Sequence, residues 1–221
     1  MQPRDVKRLA VGFFVSALAT GCLSLTPGQQ RGADEVRAMA DETARVYGVR
    51  RIPVLVGNDI DGVGGTYRRG LFTSTTSMLT SRHRESIVAH ELAHYLLDHD
   101  RPFAGTLSLD WQREQERREL DANAKAVEIL MRVRALAEEQ ALRVVYDHLL
   151  AFDRLVAARR TVIPWGHRPP CEEIADLLTR FPRQRAWSAA LACAPDATER
   201  GQVGSSGGGT DGATRANSFP G

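Results

Sequence analysis

The feature that most constrains this chain is a pair of histidines four residues apart in the run His90-Glu91-Leu92-Ala93-His94. On a helix, side chains at this spacing lie on one face about one turn from each other, so both imidazoles can bind one metal ion. The flanking residues are apolar, as is typical of a helix that packs in a core. Burial of these polar groups is costly unless they are paired or coordinate a metal. The sequence therefore predicts a metal site on a buried helix.

Glu91 completes the pattern H-E-x-x-H, in which two histidines bind Zn²⁺ and the glutamate acts as a general base. Zinc lowers the pKa of a water molecule to about 7, and the glutamate takes a proton from that water as it attacks a peptide carbonyl. We predict one Zn²⁺ per chain, bound by His90 and His94. We also predict that Glu91 is the catalytic base and that the substrate is a protein or peptide.

A catalytic zinc site needs a third protein ligand, and a first candidate follows soon after the motif. Asp100 lies six residues after His94, which is a known spacing for a third ligand. In that arrangement a glycine turns the chain, but Leu97 occupies its position here, and His99 is one residue out of register. Asp100 therefore fits the arrangement only in part.

Glu119 fits better, because it lies in a second predicted helix that can pack against the first. The small residues Ala122 and Ala126 follow it and allow two helices to approach closely. Asn123 lies one turn after Glu119. The alternative is that Glu119 is one more solvated carboxylate in a charged segment. We predict that Glu119 is the third zinc ligand.

These motifs resemble those of a known family. The segment 87–94, followed by Glu119, Ala122 and Asn123 in the pattern E-x-x-A-N, is similar to the HtpX-like and CAAX-prenyl-endopeptidase family of gluzincins. The resemblance implies a zincin-like fold, a gluzincin metal site and endopeptidase activity. That family has aspartate where this chain has Asn123, which leaves open how the metal ligands are supported.

A third segment is similar to a His-Pro segment of the same family, which ends in Arg-Ile. His167 and Ile174 stand at the matching separation, whereas Glu173 replaces the arginine. The resemblance implies that His167 reaches the active site as a catalytic residue. There it either stabilises the oxyanion or caps the zinc in a latent form.

Asn123 also fits a second family, the ImmA/IrrE-like metallopeptidases, which share H-E-x-x-H and E-x-x-A-N. This resemblance implies a regulatory metallopeptidase that cuts or binds regulators in the cytoplasm. A further alternative is a non-catalytic lipoprotein in which zinc only holds the fold together. Glu91 counts against that alternative, because a structural zinc site needs no general base.

The N-terminus predicts export and lipid attachment. Basic residues precede the apolar run 9–18, which is too short for a stable membrane span. The segment 18–22 then ends in Gly21-Cys22, as a lipobox does. We predict that residues 1–21 are removed and that lipidated Cys22 anchors the protein on the periplasmic side of the bacterial cell envelope, at the outer membrane. The alternative is a plain signal peptide or an anchor helix with an incidental cysteine.

Charge gives no indication of a nucleic-acid partner. The chain has 29 Lys and Arg and 27 Asp and Glu, and without residues 1–21 it has 26 of each. No basic patch stands out from this evenly mixed distribution, so we expect neither nucleic-acid binding nor electrostatic binding to a membrane. Cys171 and Cys193 flank a helical stretch, and in an oxidising compartment a bridge between them would stabilise the fold by about 3 kcal/mol. Two buried free thiols are the alternative.

The remaining patterns predict one α+β domain, and the resemblance implies that it is of the zincin-like kind. In it a small sheet with a hairpin packs on the H-E-x-x-H helix and on a second helix that carries Glu119, and further helices follow. The predicted elements are a helix over 34–47, a strand over 52–56, a hairpin of 63–67 and 71–77 around a turn at 68–70, a helix over 141–156, and short helices over 172–178 and 184–193. In gluzincins the strand before the active-site helix pairs with extended substrate, which indicates 72–76 for this role; the alternative is an ordinary edge strand.

The predicted domain boundaries follow from composition. A linker over 22–29 joins the lipidated cysteine to a metallopeptidase domain over 30–195, and a Gly/Ser-rich tail over 196–221 lacks any apolar pattern. Together these features predict a zinc-dependent endopeptidase of the cell envelope that acts on unfolded or misassembled proteins in quality control. The ImmA/IrrE-like regulatory peptidase and the non-catalytic lipoprotein remain the alternatives.

Overall fold

The computed structural model describes residues 24–57, 65–68, 70–99, 109–158, 160–164 and 166–184. They form a mixed α+β fold with a three-stranded sheet and six helices, which confirms the predicted zincin-like class. The elements in chain order are α1 (Pro27–Tyr47), β1 (Val54–Gly57), β2 (Gly65–Arg68), β3 (Leu71–Thr75), α2 (Thr76–Leu79), α3 (Arg84–Leu96), α4 (Leu109–Val133), α5 (Glu138–Ala157), α6 (Pro170–Arg180) and a 3₁₀ turn (Pro182–Gln184).

Helix α1 begins seven residues before the predicted start at 34, because local capping fixes its first turn. The Thr26 hydroxyl accepts a hydrogen bond from the backbone N–H of Gln29, and the Gln29 side chain accepts one from the backbone N–H of Thr26. Pro27 at the first helical position has the backbone angle that a helix requires. The apolar face of α1, with Val36 and Met39, is buried in the core.

The sheet has the strand order β1-β3-β2. Strands β2 and β3 form the predicted antiparallel hairpin, and β1 pairs with β3 in parallel. The central position of β3 overturns one prediction. Residues 72–76 cannot pair with a substrate strand, because both edges of β3 already pair with its neighbours. The prediction took the strand that precedes α3 in sequence to be the edge strand, whereas β2 is the strand that contacts α3.

Helices α3 and α4 pack closely, since small side chains lie between them. Ala89 and Ala93 of α3 and Ala122 and Ala126 of α4 are fully buried. This confirms the predicted close approach of two helices, which brings residue 119 over the H-E-x-x-H turn. The other face of α4 completes the core with α5 and α6.

Several predictions concern residues beyond the described ranges. The signal segment 1–21, Cys22, Asp100, the helix over 184–193 apart from its first residue, and the tail 196–221 all lie outside the described residues. Cys171 is disulfide-bonded, but Cys193 also lies outside, so the pairing of these two stays a prediction. Among the helices that the structure describes, none combines the length and the apolar composition needed to span a membrane.

Candidate metal centre

Three predicted ligands come together at the contact between α3 and α4. Each of His90, His94 and Glu119 offers one donor atom, and these atoms all lie within 4.8 Å of one another. Oε2 of Glu119 lies 3.0 Å from Nε2 of His90 and 3.2 Å from Nε2 of His94, and the two Nε2 atoms are 3.1 Å apart. The side chains are 14 %, 13 % and 16 % exposed, so the cluster is largely buried but open on one side.

The donor set fits a tetrahedral zinc ion. With bonds of 2.0–2.1 Å to nitrogen and oxygen, two ligand atoms of a tetrahedral site are about 3.3 Å apart. The three distances among His90, His94 and Glu119 lie just below this value. Two imidazoles and one carboxylate with an open fourth side are also the chemistry of a catalytic rather than a structural zinc site.

A second layer of side chains orients the two histidines. Nδ1 of His90 lies 2.9 Å from Oδ1 of Asn123, which directs Nε2 of His90 toward Glu119. Nδ1 of His94 lies 2.9 Å from Nδ1 of His99. Burial, with the charges of His94 and Arg118, lowers the pKa of His99 to about 4, so this residue is neutral at pH 7 and can accept the His94 proton in a hydrogen bond.

The electrostatics of the cluster suit a cation. Burial opposes a charge on His90, but the hydrogen bond and charge of Glu119, with the charges of Glu91 and Glu173, outweigh it and raise the pKa of His90 to about 9. Burial also opposes the charge of Glu119, yet hydrogen bonds and charges from His90 and His94 hold the pKa of its carboxyl well below the usual range. A positive charge is therefore stabilised where the donor atoms meet.

Glu91 is the next residue on α3 and faces β2, which lies at one edge of the sheet that the described residues form. Its Oε2 accepts a hydrogen bond of 2.6 Å from the backbone N–H of Tyr67 in β2. The ring of Tyr67 packs against that of Tyr95, with centroids 5.6 Å apart, and the Tyr95 hydroxyl donates to the carbonyl of Arg50. Glu91 is thus held by β2 while it lines the same cleft as the three donor residues.

His167 approaches the cluster from the loop between α5 and α6. Its Nε2 lies 3.5 Å from Oε2 of Glu119, and its ring stacks near that of His90 with centroids 6.3 Å apart. Gly166 precedes it with φ +91°, a conformation that other residues rarely adopt, and a Cβ there would lie 3.3 Å from Cβ of Gln115. The structure therefore places His167 beside Glu119 and His90.

His148 of α5 enters the same cleft from another side. Its Nδ1 lies 3.2 Å from the hydroxyl of Ser86, which is buried on α3. Burial, with the charges of His90, His83 and His167, lowers the pKa of His148 to about 3. His148 is therefore a neutral imidazole near pH 7.

The cleft over the cluster has a volume of about 420 Å³. Strand β2, helices α3, α4 and α5, and the loop with His167 all contribute to its lining. Sequence reasoning missed two contributors to this site, the support of His94 by His99 and the contacts of Glu173. The sequence did hold a signal for the role of Glu173. The side-chain NH₂ group of Asn123 needs a hydrogen-bond acceptor when it is buried, and Glu173 is that acceptor.

One comparison with known proteins matches part of the chain. The model of the peptidase family M78, described as the IrrE N-terminal-like domain, matches residues 54–161. No curated protein and no solved structure matches the chain. The match agrees with the ImmA/IrrE-like resemblance, whereas nothing supports the HtpX-like one. It includes the three donor residues and Glu91 but ends before His167. Residues 54–161 are thus similar to an IrrE-like metallopeptidase domain, and the His-His-Glu cluster within them fits a metal ion.

Proposed function

We propose that this protein is a zinc-dependent peptidase of the ImmA/IrrE-like kind that cuts a defined protein target. The observation that carries the proposal is the cluster of His90, His94 and Glu119, with Glu91 beside it in an open cleft. His90, His94 and Glu119 hold the metal. The similarity of residues 54–161 to the IrrE N-terminal-like domain favours a regulatory target over general degradation.

Zinc, when bound, supplies an acidified water molecule and polarises the peptide carbonyl. Glu91 takes a proton from the water as its oxygen attacks the carbonyl carbon. Glu91 then passes this proton to the nitrogen of the leaving amine as the C–N bond breaks. The Tyr67 N–H holds one carboxylate oxygen of Glu91 through this sequence, so the other oxygen is the one that handles the proton.

The edge strand β2 is the surface that binds the substrate backbone. Gly65 presents its backbone groups on the side of β2 that faces away from β3, where the Tyr67 N–H bonds to Glu91, because strand geometry repeats every two residues. All four residues of β2 line the cleft. A target segment in an extended conformation would pair with this edge and cross the metal cluster.

His167 stabilises the negative oxygen that develops on the carbonyl. It lies beside Glu119. Burial opposes a charge on its imidazole, but hydrogen bonding to Glu173 and the charges of Glu119 and Glu173 outweigh burial and raise the pKa of His167. When it is protonated, this imidazole donates to the oxyanion, and His167→Ala should lower turnover by about 10- to 1000-fold with the metal retained. The opposing role, in which His167 caps the metal, requires that the same change raise turnover.

The cellular location is part of the same proposal. The lipobox over 18–22 predicts an enzyme anchored in the cell envelope through Cys22, whereas the ImmA/IrrE-like resemblance implies a cytoplasmic one. Fractionation of cells that express the tagged wild type and Cys22→Ala distinguishes the two. Envelope anchoring requires the wild type in the membrane fraction and its loss from that fraction in the variant.

Cleavage of a proteome-derived peptide library, read by mass spectrometry of the new termini, tests the proposed activity. The purified wild type should cut a narrow set of sequences. Chelation should abolish the cleavage, and added Zn²⁺ should restore it. Broad cleavage would favour quality control over a defined target. Equal cleavage by the wild type and Glu91→Gln would refute the proposal.

A further inference from the structure

We infer that Glu173 positions two histidines of this site at once, His90 through Asn123 and His167 directly. The inference rests on the proposed function, since it assigns a role in the same metal centre. Glu173 lies beyond the segment similar to the IrrE N-terminal-like domain, on helix α6. It is not one of the three donor residues, so it acts through its neighbours.

Both oxygens of the Glu173 carboxylate accept hydrogen bonds, three in all. The residue is 2 % exposed. Its Oε2 accepts from Nδ2 of Asn123 over 2.9 Å. Its Oε1 accepts from Nδ1 of His167 over 3.1 Å and from the backbone N–H of Arg168 over 3.2 Å. Glu173 lies in the first turn of α6, where the helix dipole stabilises a negative charge.

The acceptor character of Glu173 sets the orientation of the amide at position 123. A carboxylate cannot donate, so Asn123 must turn its NH₂ toward Glu173 and its oxygen toward His90. The oxygen of Asn123 then requires the proton of His90 on Nδ1. This leaves the Nε2 lone pair of His90 facing Glu119 and His94, as metal binding requires.

The other oxygen acts on the loop between α5 and α6 in the same way. Because Oε1 of Glu173 accepts from Nδ1 of His167, the Nε2 atom of that ring is the one directed at Glu119. The bond to the N–H of Arg168 fixes the backbone next to it. One buried carboxylate thus couples the metal ligand His90 to the loop that carries His167.

A glutamine at position 173 cannot replace both acceptors. If its oxygen keeps the bonds to His167 and Arg168, its NH₂ faces Asn123, and that amide must turn its own NH₂ toward His90. His90 then carries its proton on Nε2 and loses the lone pair for the metal. The opposite orientation of the glutamine would sacrifice two hydrogen bonds, so the first is expected.

An exchange of the two side-chain types restores the pattern. In the double variant Asn123→Asp, Glu173→Gln, the aspartate accepts from both His90 and the glutamine NH₂, and the glutamine oxygen accepts from His167 and Arg168. Asn123→Asp alone makes two carboxylates, which are both acceptors, face each other. Glu173→Gln alone turns the NH₂ of Asn123 toward the Nδ1–H of His90, so that two donors face each other. The double variant has neither conflict. Glu172→Gln is the matched control, because this neighbour loses the same charge but is exposed.

Competition with a chromogenic chelator for Zn²⁺ on the full chain measures the effect. Glu173→Gln should weaken zinc binding by about 10- to 100-fold, while Glu172→Gln should not. Asn123→Asp should weaken it as well, and the double variant should return to within about threefold of the wild type, which is strong non-additivity. Equal affinity of Glu173→Gln and Glu172→Gln, or additive losses in the double variant, would overturn the inference.

Nitrogen-15 NMR of the histidine rings gives a readout that needs neither zinc nor activity. In a titration carried to the pH at which His90 is neutral, the share of His90 rings that carry the proton on Nδ1 should be larger in the wild type than in Glu173→Gln. An unchanged His90 tautomer would also overturn the inference. If Glu173→Gln does not fold, recovery of folding in the double variant supports the inference, and its failure to fold refutes it. If the wild type shows no peptidase activity, that result refutes the proposed function but not the inference about Glu173.

Discussion

The carboxylate of Glu91 and the backbone of Tyr67 are joined by a hydrogen bond of 2.6 Å between Oε2 and the N–H group. This bond ties the catalytic-base candidate of α3 to the edge strand β2. It gives the base a fixed direction without a second charged side chain. It also means that the position of Glu91 depends on the pairing of β2 with β3, because that pairing orients the Tyr67 N–H away from the sheet.

Replacement of Glu91 by glutamine should separate chemistry from structure. The glutamine oxygen can still accept the Tyr67 hydrogen bond, so we expect an unchanged fold and metal content. The lost proton acceptor should lower peptidase activity by at least about 100-fold. Turnover of a cleaved library peptide and the bound metal are the two measurements. Glu85→Gln, which removes a carboxylate of the same helix paired with Arg134, is the control and should keep full activity. Similar losses in both variants would contradict the assignment.

The contact of α1 with α2 predicts opposite effects at two glycines of one helix. A Cβ at Gly32 would lie 2.1 Å from the carbonyl oxygen of Leu79, so Gly32→Ala should force the two segments apart and destabilise the protein by about 1–3 kcal/mol. A Cβ at Gly28 would meet only the Thr80 methyl group at 3.9 Å. Gly28→Ala should therefore be neutral or stabilising by up to about 1 kcal/mol. Urea unfolding measures the stability of both variants. Equal unfolding midpoints for Gly32→Ala and Gly28→Ala would contradict the close contact between Gly32 and Leu79.

His148 should make the stability of the protein sensitive to acid. Its folded pKa of about 3, lowered by burial first, lies below the ordinary value of 6.5, so the unfolded chain takes up a proton at a higher pH than the folded chain. The stabilisation of the folded protein that depends on a neutral His148 is therefore complete above pH 6.5 and is lost as pH falls toward 3. His148→Gln can keep a hydrogen bond to Ser86 without this titration. Between about pH 6.5 and 5 its Tm should fall less than that of the wild type, and parallel curves would contradict the burial of a neutral His148.

Local patterns predicted most of the framework. The H-E-x-x-H spacing located α3, the small residues at 122 and 126 located its contact with α4, and the turn at 68–70 located the hairpin. These features depend on residues near one another in sequence or on one helix face. The order of the strands does not depend on neighbouring residues, because it is set by the long-range parallel pairing of β1 with β3. The wrong substrate strand, 72–76, is a direct result.

In the candidate site, too, the residues set by local spacing could be predicted and those set by tertiary packing could not. His90, His94 and Glu119 could be named from spacing, since a turn of helix sets their separation. The role of Glu173 could not, because its partners Asn123 and His167 lie on another helix and on a loop. Contacts between side chains from different elements depend on tertiary packing, and a single sequence gives only weak signals for them.

Metal content of the purified protein tests the central claim most directly. Elemental analysis should find one zinc per chain in the wild type and in Asp100→Ala. His94→Ala should contain almost none, and Glu119→Ala should be strongly depleted, because Glu119 contributes the donor atom that lies 3.0 Å and 3.2 Å from the two histidine nitrogens. Retention of zinc by Glu119→Ala together with its loss from Asp100→Ala would contradict the His-His-Glu centre and the function derived from it.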